Sequence, residues 1–481
     1  QIVLMLASRH SHVCAVGDDA QSIYGFRGAN IDNILDFRQM FEDVRLFKLE
    51  QNYRSTQRIV KAANSLIKHN ERQIPKDVFS KNAEGDKLIQ KQAYSDKEEA
   101  LIVCNDIMRI RRTDNCEYSD FAILYRTNSQ SRSFEESMRK MNIPYKIYGG
   151  LSFYQRKEIK DIIAYFRLVA NPSDEEAFKR IINYPKRGIG DTTVGRIIGT
   201  ATDKGASLWD VISAPQLYGL DVSKGTLAKI EKFKILINGY IERAANEDAY
   251  TLGKYIIESS GIANEINSDN SPEGMSRQEN VNEFTGGLEE FVESRREEDR
   301  GGETSISDFL QEVSLLTDLD SDNNDNHNYV SLMTVHSAKG LEFPNVFIVG
   351  MEENIFPNQM CMGSKREMEE ERRLLYVAIT RAERHCILTC AKNRFRYGKL
   401  EFGTPSRFLS DIDPSLISME RADEGYFGGN HSLNTATTFG SSRYQNSRPV
   451  ASQFRSDPQR RIVQHREEPA TDPFSDSFKK L

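Results

Sequence analysis

The stretch from Val16 to Asn30 reads V-G-D-D-A-Q-S-I-Y-G-F-R-G-A-N and crowds two carboxylates, an amide, two aromatic rings and an arginine behind one glycine. Asp18 and Asp19 are residue types that face a metal or water, and Gln21 is one that orients a water or a phosphate. Tyr24, Phe26 and Arg27 are types that meet a nucleobase and its phosphate. The same residues also fit a polar strand-to-helix turn with a core aromatic. Ligands of open α/β sheets bind at the carboxyl ends of strands. The short apolar run Val13 to Val16 is therefore read as a buried strand delivering the stretch.

Other residues carry chemistry at comparable junctions. Tyr53 and Arg54, in L-E-Q-N-Y-R-S-T, follow a strand candidate over 41–49 and precede a helix marked by Ile59, Val60, Ala63, Leu66 and Ile67. An aromatic there can stack on a base while the guanidinium reaches phosphate; the other reading is a surface tyrosine beside an arginine that caps a carboxylate. Arg126, Asn128 and Gln130 follow the apolar strand Phe121 to Tyr125, either as donors to a nucleic-acid backbone or as a solvated loop. In Y-P-K-R-G-I-G-D-T-T, Gly188 and Gly190 precede a helix and expose backbone N–H groups that suit a phosphate. Lys186 and Arg187 add positive charge there, and an ordinary turn is the alternative. Arg381 borders the apolar face formed by Leu374, Leu375, Ala378, Ile379 and Ala382, a place where an arginine is either paired or aimed into a cleft.

Periodicity supplies the elements that would hold these groups. Lys97 to Arg111 has helical spacing, Tyr145 to Tyr148 reads as a strand, and Ile159, Ile162, Ile163 and Phe166 mark another helix. From about residue 165 the text is helical without strands, with a solvated mixed-charge helix and exit loop over 288–303. The acidic, Asn-rich run Asp318 to Asn328 makes a boundary. Strands return at Tyr329 to Val335 and Val346 to Val349, a helix begins at Glu367, and Cys386 to Ala391 closes the unit as a strand. Residues 71–95 read as polar with a turn at Glu84-Gly85, and about the last fifty residues read as a disordered tail.

A chain of 481 residues is too long for one core. With 64 Lys and Arg against 71 Asp and Glu, the net charge of −7 excludes a uniformly basic coat. It leaves open a basic groove for nucleic acid. Cys14, Cys104, Cys116, Cys361, Cys386 and Cys390 form no zinc spacing, so a reduced, intracellular setting is expected. No signal peptide or bilayer-length apolar run occurs. The first residue is Gln1, in what reads as mid-helix, so a fragment is expected.

Four motifs in order, G-D-D-A-Q-S-I-Y-G-F-R-G-A-N, L-E-Q-N-Y-R-S, M-T-V-H-S-A-K-G-L-E-F and E-E-E-R-R-L-L-Y-V-A-I-T-R-A-E-R, resemble those of superfamily 1 ATP-dependent DNA helicases of the UvrD/PcrA/Rep group. The resemblance covers about residues 1–410 and implies a 3′-to-5′ helicase or translocase of repair or replication. It implies an α/β fold: a RecA-like, P-loop NTPase-type parallel-sheet lobe with an inserted all-helical subdomain. Residues 1–55 would be a remnant of the first RecA-like lobe, 56–163 with 328–412 the second lobe, 164–327 the helical insert and 413–481 a flexible polar tail. It implies that Gln21 senses the terminal phosphate, Tyr53 stacks on adenine, Arg54 contacts phosphate, and Gly340 and Glu342 lie near the ribose. Arg381 becomes a second arginine finger contributed from the opposite lobe. Tyr24, Phe26, Arg27, Arg126, Asn128, Thr334 and His336 become single-strand contacts, and Lys186, Arg187, Gly188 and Gly190 duplex contacts. Phe26 stands where relatives often have tryptophan, and Ala20 where an aspartate is common. No G-x-x-x-x-G-K-[ST] loop and no D-E-x-Q-D motif occurs. The resemblance therefore implies an N-terminally truncated helicase, inactive alone, with no complete metal site. ATP and Mg²⁺ would serve the full-length protein, and neither would bind this fragment tightly. A non-catalytic DNA-binding or regulatory module is the alternative. Implied partners are single-stranded DNA, single-strand/duplex junctions and repair or transcription proteins, with no membrane. The implied state is a monomer or weak dimer in the cytoplasm, associated with the nucleoid.

Overall fold

The computed structural model describes residues 2–7, 12–40, 44–318, 328–396 and 399–421. Two short strands, β1 (Gln51–Asn52) and β2 (Phe79–Ser80), pair in parallel by themselves. The main sheet has eight strands: β3 (Leu88–Ser95), β4 (Phe121–Tyr125), β5 (Tyr145–Tyr148), β6 (Val330–Thr334), β7 (Phe343–Ile348), β8 (Ala382–Arg396), β9 (Lys399–Phe402) and β10 (Ile417–Arg421). Their order is β10-β3-β8-β7-β4-β6-β5, parallel throughout, with β9 antiparallel to β8.

β4 shows why this sheet forms. F-A-I-L-Y is apolar without alternation, the signature of a strand covered on both faces, and all its residues are buried. Side chains alternate between faces. Ala122 and Leu124 pack with Ala62, Ala63 and Leu66 of the helix Gln57–Ile67 and with Leu374, Leu375 and Ala378 of the helix Lys365–Ile379. Phe121, Ile123 and Tyr125 pack on the other face, with Ala100, Val103 and Ile107 of the helix Asp96–Thr113 and Phe134 and Met138 of the helix Ser131–Lys140. Ser95 caps the helix Asp96–Thr113 by accepting from Glu98 N, and Ser364 caps Lys365–Ile379 by accepting from Glu367 N. Each helix is thereby started at a fixed point over the sheet.

Between β5 and β6 the chain departs into helices only, from Lys157–Ala170 to Ile306–Asp318. They close on their own core, in which Phe166, Phe284 and Phe309 stack at centroid distances of 5.7 to 6.4 Å. The architecture is thus mixed α/β, a parallel sheet flanked by helices with an inserted helical subdomain, as the resemblance implies.

Several local expectations differ. Residues 13–16 and 44–49 form no strand, and Val16, Phe47 and Leu49 are 86%, 81% and 88% exposed. An apolar run becomes a strand only where a neighbouring strand takes its hydrogen bonds and a layer covers its faces. Among the described residues nothing pairs with these two. Conversely, β3 lies within the stretch read as polar. Its sequence L-I-Q-K-Q-A-Y-S buries Leu88 and Gln90 on one face and Ala93 on the other, and pairs Lys91 with Asp106. β10 falls inside the expected tail, yet Ile417–Arg421 pairs in parallel with β3 and edges the sheet. The boundary run at 319–327 and residues 422–481 lie outside the described residues. Among the described residues no helix is long and apolar enough to cross a membrane.

Candidate functional site

The helix Lys365–Ile379 organises the site from beneath. Its E-E-E-R-R run has the composition of a solvated face, yet Glu369, Glu371 and Arg373 are buried, and the charged residues reach out to the surrounding loops. Glu369 accepts from Glu71 N at 2.9 Å. Glu370 accepts from Gly25 N at 2.6 Å, and Glu371 from Asn358 N at 3.1 Å. Arg372 donates to Asp411 and Asn70, and Arg373 donates to Ser22 O at 2.9 Å. A Cβ on Gly25 would meet Glu370 Oε2 at 2.2 Å, so only glycine permits this approach of backbone to carboxylate.

Arg54 and Arg381 meet at the end of that helix. An Asx turn at Asn52, whose side-chain oxygen accepts from the N–H of Arg54 and of Ser55, shapes the entry. Ser55 Oγ donates to Ala382 O at 2.6 Å, and Thr56 N donates to Glu383 O at 3.0 Å. Arg54 forms an ion pair with Glu342 and donates to Thr380 O at 3.2 Å. Arg381 is 3% exposed and donates to Val377 O, Leu341 O and Thr380 Oγ1 at 3.0 to 3.2 Å, all neutral acceptors. Burial, and next the Arg54 charge, bring its pKa down to about 10. A buried guanidinium beside a second one and facing uncharged partners is a site that favours an anion. The hydrogen bonds of Ser55 and Thr56 to Ala382 and Glu383 fix Arg54 beside the start of β8, the side on which Arg381 stands. Tyr53 projects next to them and is 78% exposed. Gly340, at φ +93°, occupies the left-handed region before Glu342.

The loop from Asp18 to Arg27 lies across the same helix. Gln21 Nε2 donates to Asp18 Oδ2 at 2.7 Å, and Lys339 Nζ donates to Gln21 O at 2.9 Å. At the other end, Tyr24, Phe26 and His336 form a ring cluster with centroids 5.1 to 6.2 Å apart. Tyr24 OH donates to His336 O at 3.2 Å, the Arg27 guanidinium lies 5.4 Å from the Phe26 ring, and Phe26 is 53% exposed. Thr334 Oγ1 accepts from Ser337 N and fixes the turn leading from β6 to this cluster.

Burial, then the charges of Arg126 and Arg27, lower the His336 pKa to about 3. The unfolded chain binds a proton at this residue below about pH 6.5 and the native fold does not until about pH 3, so stability falls with pH across that window. The slope is about 1.4 kcal/mol per pH unit. His336→Gln is expected to lose less stability than the parent between pH 6.5 and 5 in urea unfolding. Equal losses in the two proteins would contradict the assignment.

Other expected contacts are placed differently. Arg126 is paired with Glu371 at 2.7 Å, and its guanidinium is taken up by that buried carboxylate instead of facing solvent. The backbone oxygen of Asn128 accepts from Arg156, which also donates to Asn280 of the helical insert. In the insert, Arg187 donates inward to Ile181 O, Tyr184 O, Tyr165 OH and Ser260 O, so it braces the hairpin from within. Gly188 has φ +72°, Gly190 precedes the helix Asp191–Lys204, and Lys186 is exposed beside them. Lys76, Glu370 and Arg373 had no signal of their own in the sequence, since each acts on a residue far away along the chain.

Comparisons with known proteins agree with this geometry. Residues 47–393 match the UvrD-like helicase C-terminal domain, and residues 1–42 match the UvrD/REP helicase N-terminal domain. The chain is 41% identical over 416 residues to an ATP-dependent DNA helicase PcrA of Leuconostoc citreum, covering 86% of this chain and 55% of that protein. It is 42% identical over 418 residues to the protein of the same description from Staphylococcus epidermidis, covering 86% and 56%. A Staphylococcus aureus counterpart is 41% identical over 418 residues, again covering 86% and 56%. The chain spans about half the length of the curated relatives it matches. With the two arginines, the glutamine loop and the ring cluster standing on one parallel sheet, and with a family match across most of its length, the chain belongs to the UvrD/PcrA/Rep-like superfamily 1 helicases.

Proposed function

We propose that the protein is an ATP-dependent DNA helicase and translocase, moving 3′ to 5′ in repair or replication, and that this chain supplies its coupling machinery. The observation that carries the proposal is the loop Asp18 to Arg27. It holds Gln21 at one end and the Phe26 ring cluster at the other, and is hydrogen-bonded to the helix that leads to Arg381. A change at the phosphate is thereby mechanically continuous with a change at the base platform. The 3′-to-5′ direction rests on the relatives alone.

ATP fits the residues present. The exposed Tyr53 ring would stack on the base, Arg54 and Arg381 would take the terminal phosphate, and Glu342 would reach the ribose after exchanging its ion pair with Arg54. ATP supplies the phosphoryl group whose transfer to water releases the energy. Among the described residues no group of three or more His, Cys, Asp or Glu is placed to hold a metal ion. The lysine, hydroxyl and carboxylates that bind phosphate and Mg²⁺ in P-loop enzymes belong to motifs that do not occur in these residues. Hydrolysis by this chain alone is therefore not expected.

Single-stranded DNA would stack on Phe26, with Tyr24, Arg27, Thr334 and His336 around it. Gly188, Gly190 and Lys186 would meet a duplex phosphate at a junction. Cytoplasmic location, repair or transcription partners and a monomer or weak dimer follow from the same reading. The missing phosphate loop favours a second reading, a non-catalytic DNA-binding module. Two measurements decide. Phe26→Ala is expected to weaken oligo-dT binding by about 1–3 kcal/mol, read by fluorescence anisotropy on this chain; an unchanged affinity would mean that the ring is no platform. DNA-stimulated ATP hydrolysis by the longer protein supports the first reading, and its absence leaves the second.

A further inference from the structure

The side chain of Gln21 is oriented by Asp18, which is itself held by Lys76, a residue outside every motif described above. Asp18 Oδ2 accepts from Gln21 Nε2 at 2.7 Å. An ionised carboxylate only accepts, so the carboxamide must turn its nitrogen toward Asp18 and its Oε1 away. Asp18 itself is held through Oδ1, which accepts from Ala20 N at 3.1 Å and from the ammonium of Lys76. The same ammonium lies 3.0 Å from Asp19 Oδ1, and Asp19 Oδ2 accepts from Ile74 N at 2.9 Å. Asp19 is 3% exposed and the Lys76 side chain 18%, while the Asp18 side chain, at 31%, is half-buried. Burial opposes the charge on Lys76, and the Asp18 and Asp19 carboxylates outweigh it, so its pKa is raised.

Removing that ammonium would leave two neighbouring carboxylates without their shared counter-charge. One of them would take up a proton or turn toward solvent. A protonated Asp18 can donate, and the carboxamide of Gln21 could then present either end. The orientation of Gln21 thus depends on a cation from the segment that follows the helix Gln57–Ile67.

We propose that Lys76 is a positioning residue for Gln21: through Asp18 it fixes the carboxamide so that Oε1 is offered as an acceptor to the O–H of an attacking water. This rests on the helicase reading for the water, and not for the orientation. The orientation is tested on this chain by hydrogen exchange of the Gln21 side-chain amide, followed by NMR with ¹⁵N-glutamine labelling. Lys76→Met is expected to accelerate that exchange about tenfold, the scale of one hydrogen bond to a charged acceptor, and Lys76→Arg to restore it. Asp18→Asn removes the acceptor-only constraint with Lys76 intact and is expected to accelerate exchange as well, which keeps the test decisive if Lys76→Met does not fold. Exchange at the parent rate in a folded Lys76→Met or in Asp18→Asn would overturn the proposal. In the longer protein, Lys76→Met is expected to lower kcat for DNA-stimulated ATP hydrolysis with KM for ATP and oligo-dT affinity unchanged. An equal loss of DNA affinity would overturn it in favour of general disruption. If the longer protein hydrolyses no ATP, the helicase reading fails while the amide exchange still decides the orientation.

Discussion

Replacing Arg381 with alanine is expected to lower DNA-stimulated ATP turnover of the longer protein by about three orders of magnitude or more, the scale of an arginine finger. The expectation follows from how this guanidinium is held. Its nitrogens donate to Val377 O, Leu341 O and Thr380 Oγ1, which fix its plane without neutralising its charge. Burial and the neighbouring Arg54 together disfavour the charged form, and an incoming phosphate relieves both. Charge growing on a phosphate bound there would then be met by a donor already in place. Arg381→Lys is expected to recover little, because an ammonium cannot reproduce the planar fork that these acceptors orient. Steady-state hydrolysis at saturating single-stranded DNA is the measurement, and a loss below tenfold would remove Arg381 from the phosphate.

The second large effect concerns stability. Arg394, in β8, pairs with Glu352 at 2.8 Å and with Glu99 of the helix Asp96–Thr113. Glu99 is 0% and Glu352 2% exposed. Glu99 also accepts from Gly350 N and Thr389 Oγ1, and Glu352 accepts from Ala391 N, so the network ties the segment after β7, β8 and a helix together. Arg394→Met strands two carboxylates in the interior and is expected to cost about 3–5 kcal/mol. Burial already raises the Glu99 pKa against the pull of Arg394. Without the arginine it rises further, so the folded variant takes up a proton more readily than its unfolded chain. The deficit is therefore greatest at neutral pH and narrows as the pH falls through the raised value. Urea unfolding at two pH values checks both statements. A combined Arg394→Met, Glu99→Leu, Glu352→Leu variant is expected to recover most of the loss.

Where local composition and long-range demand agreed, the fold was legible. Phe121–Tyr125 is a strand at the residues its apolar run marks, because a parallel strand covered on both faces has no other way to read, and Tyr145–Tyr148 is a strand at the edge with Lys146 and Tyr148 on its exposed face. β3 was hidden because its polar residues are buried by pairing: Lys91 with Asp106, Gln90 within the sheet. Residues 13–16 and 44–49 err the other way, since strand-like composition has no consequence without a neighbour to pair with. At the site, Tyr53, Arg54, Arg381 and Phe26 stood out because their motifs are compact. Arg126 and Arg187 read as free cations only because Glu371 and the carbonyls that occupy them lie elsewhere in the chain or in the backbone. Lys76 and Glu370 were invisible for the same reason in reverse: their meaning is a partner in the Asp18–Arg27 loop.

One feature of the sheet edge bears on how such proteins diversify. The chain leaves the sheet at Tyr148 and rejoins it at Tyr329, and the two hydroxyls are 2.9 Å apart, with the Lys146 ammonium over both rings. β5 and β6 run in parallel, with Tyr145 opposite Val330 and Tyr148 opposite Met333, so for the sheet the whole helical subdomain is one crossover from the end of β5 back to the start of β6. Closing a flexible loop costs only about 0.6 kcal/mol more for each doubling of its length. Segments of very different size can therefore be grafted or pruned between Tyr148 and Tyr329 while β5 and β6 keep their register. At this seam the helical subdomain and the parallel sheet can be inherited separately.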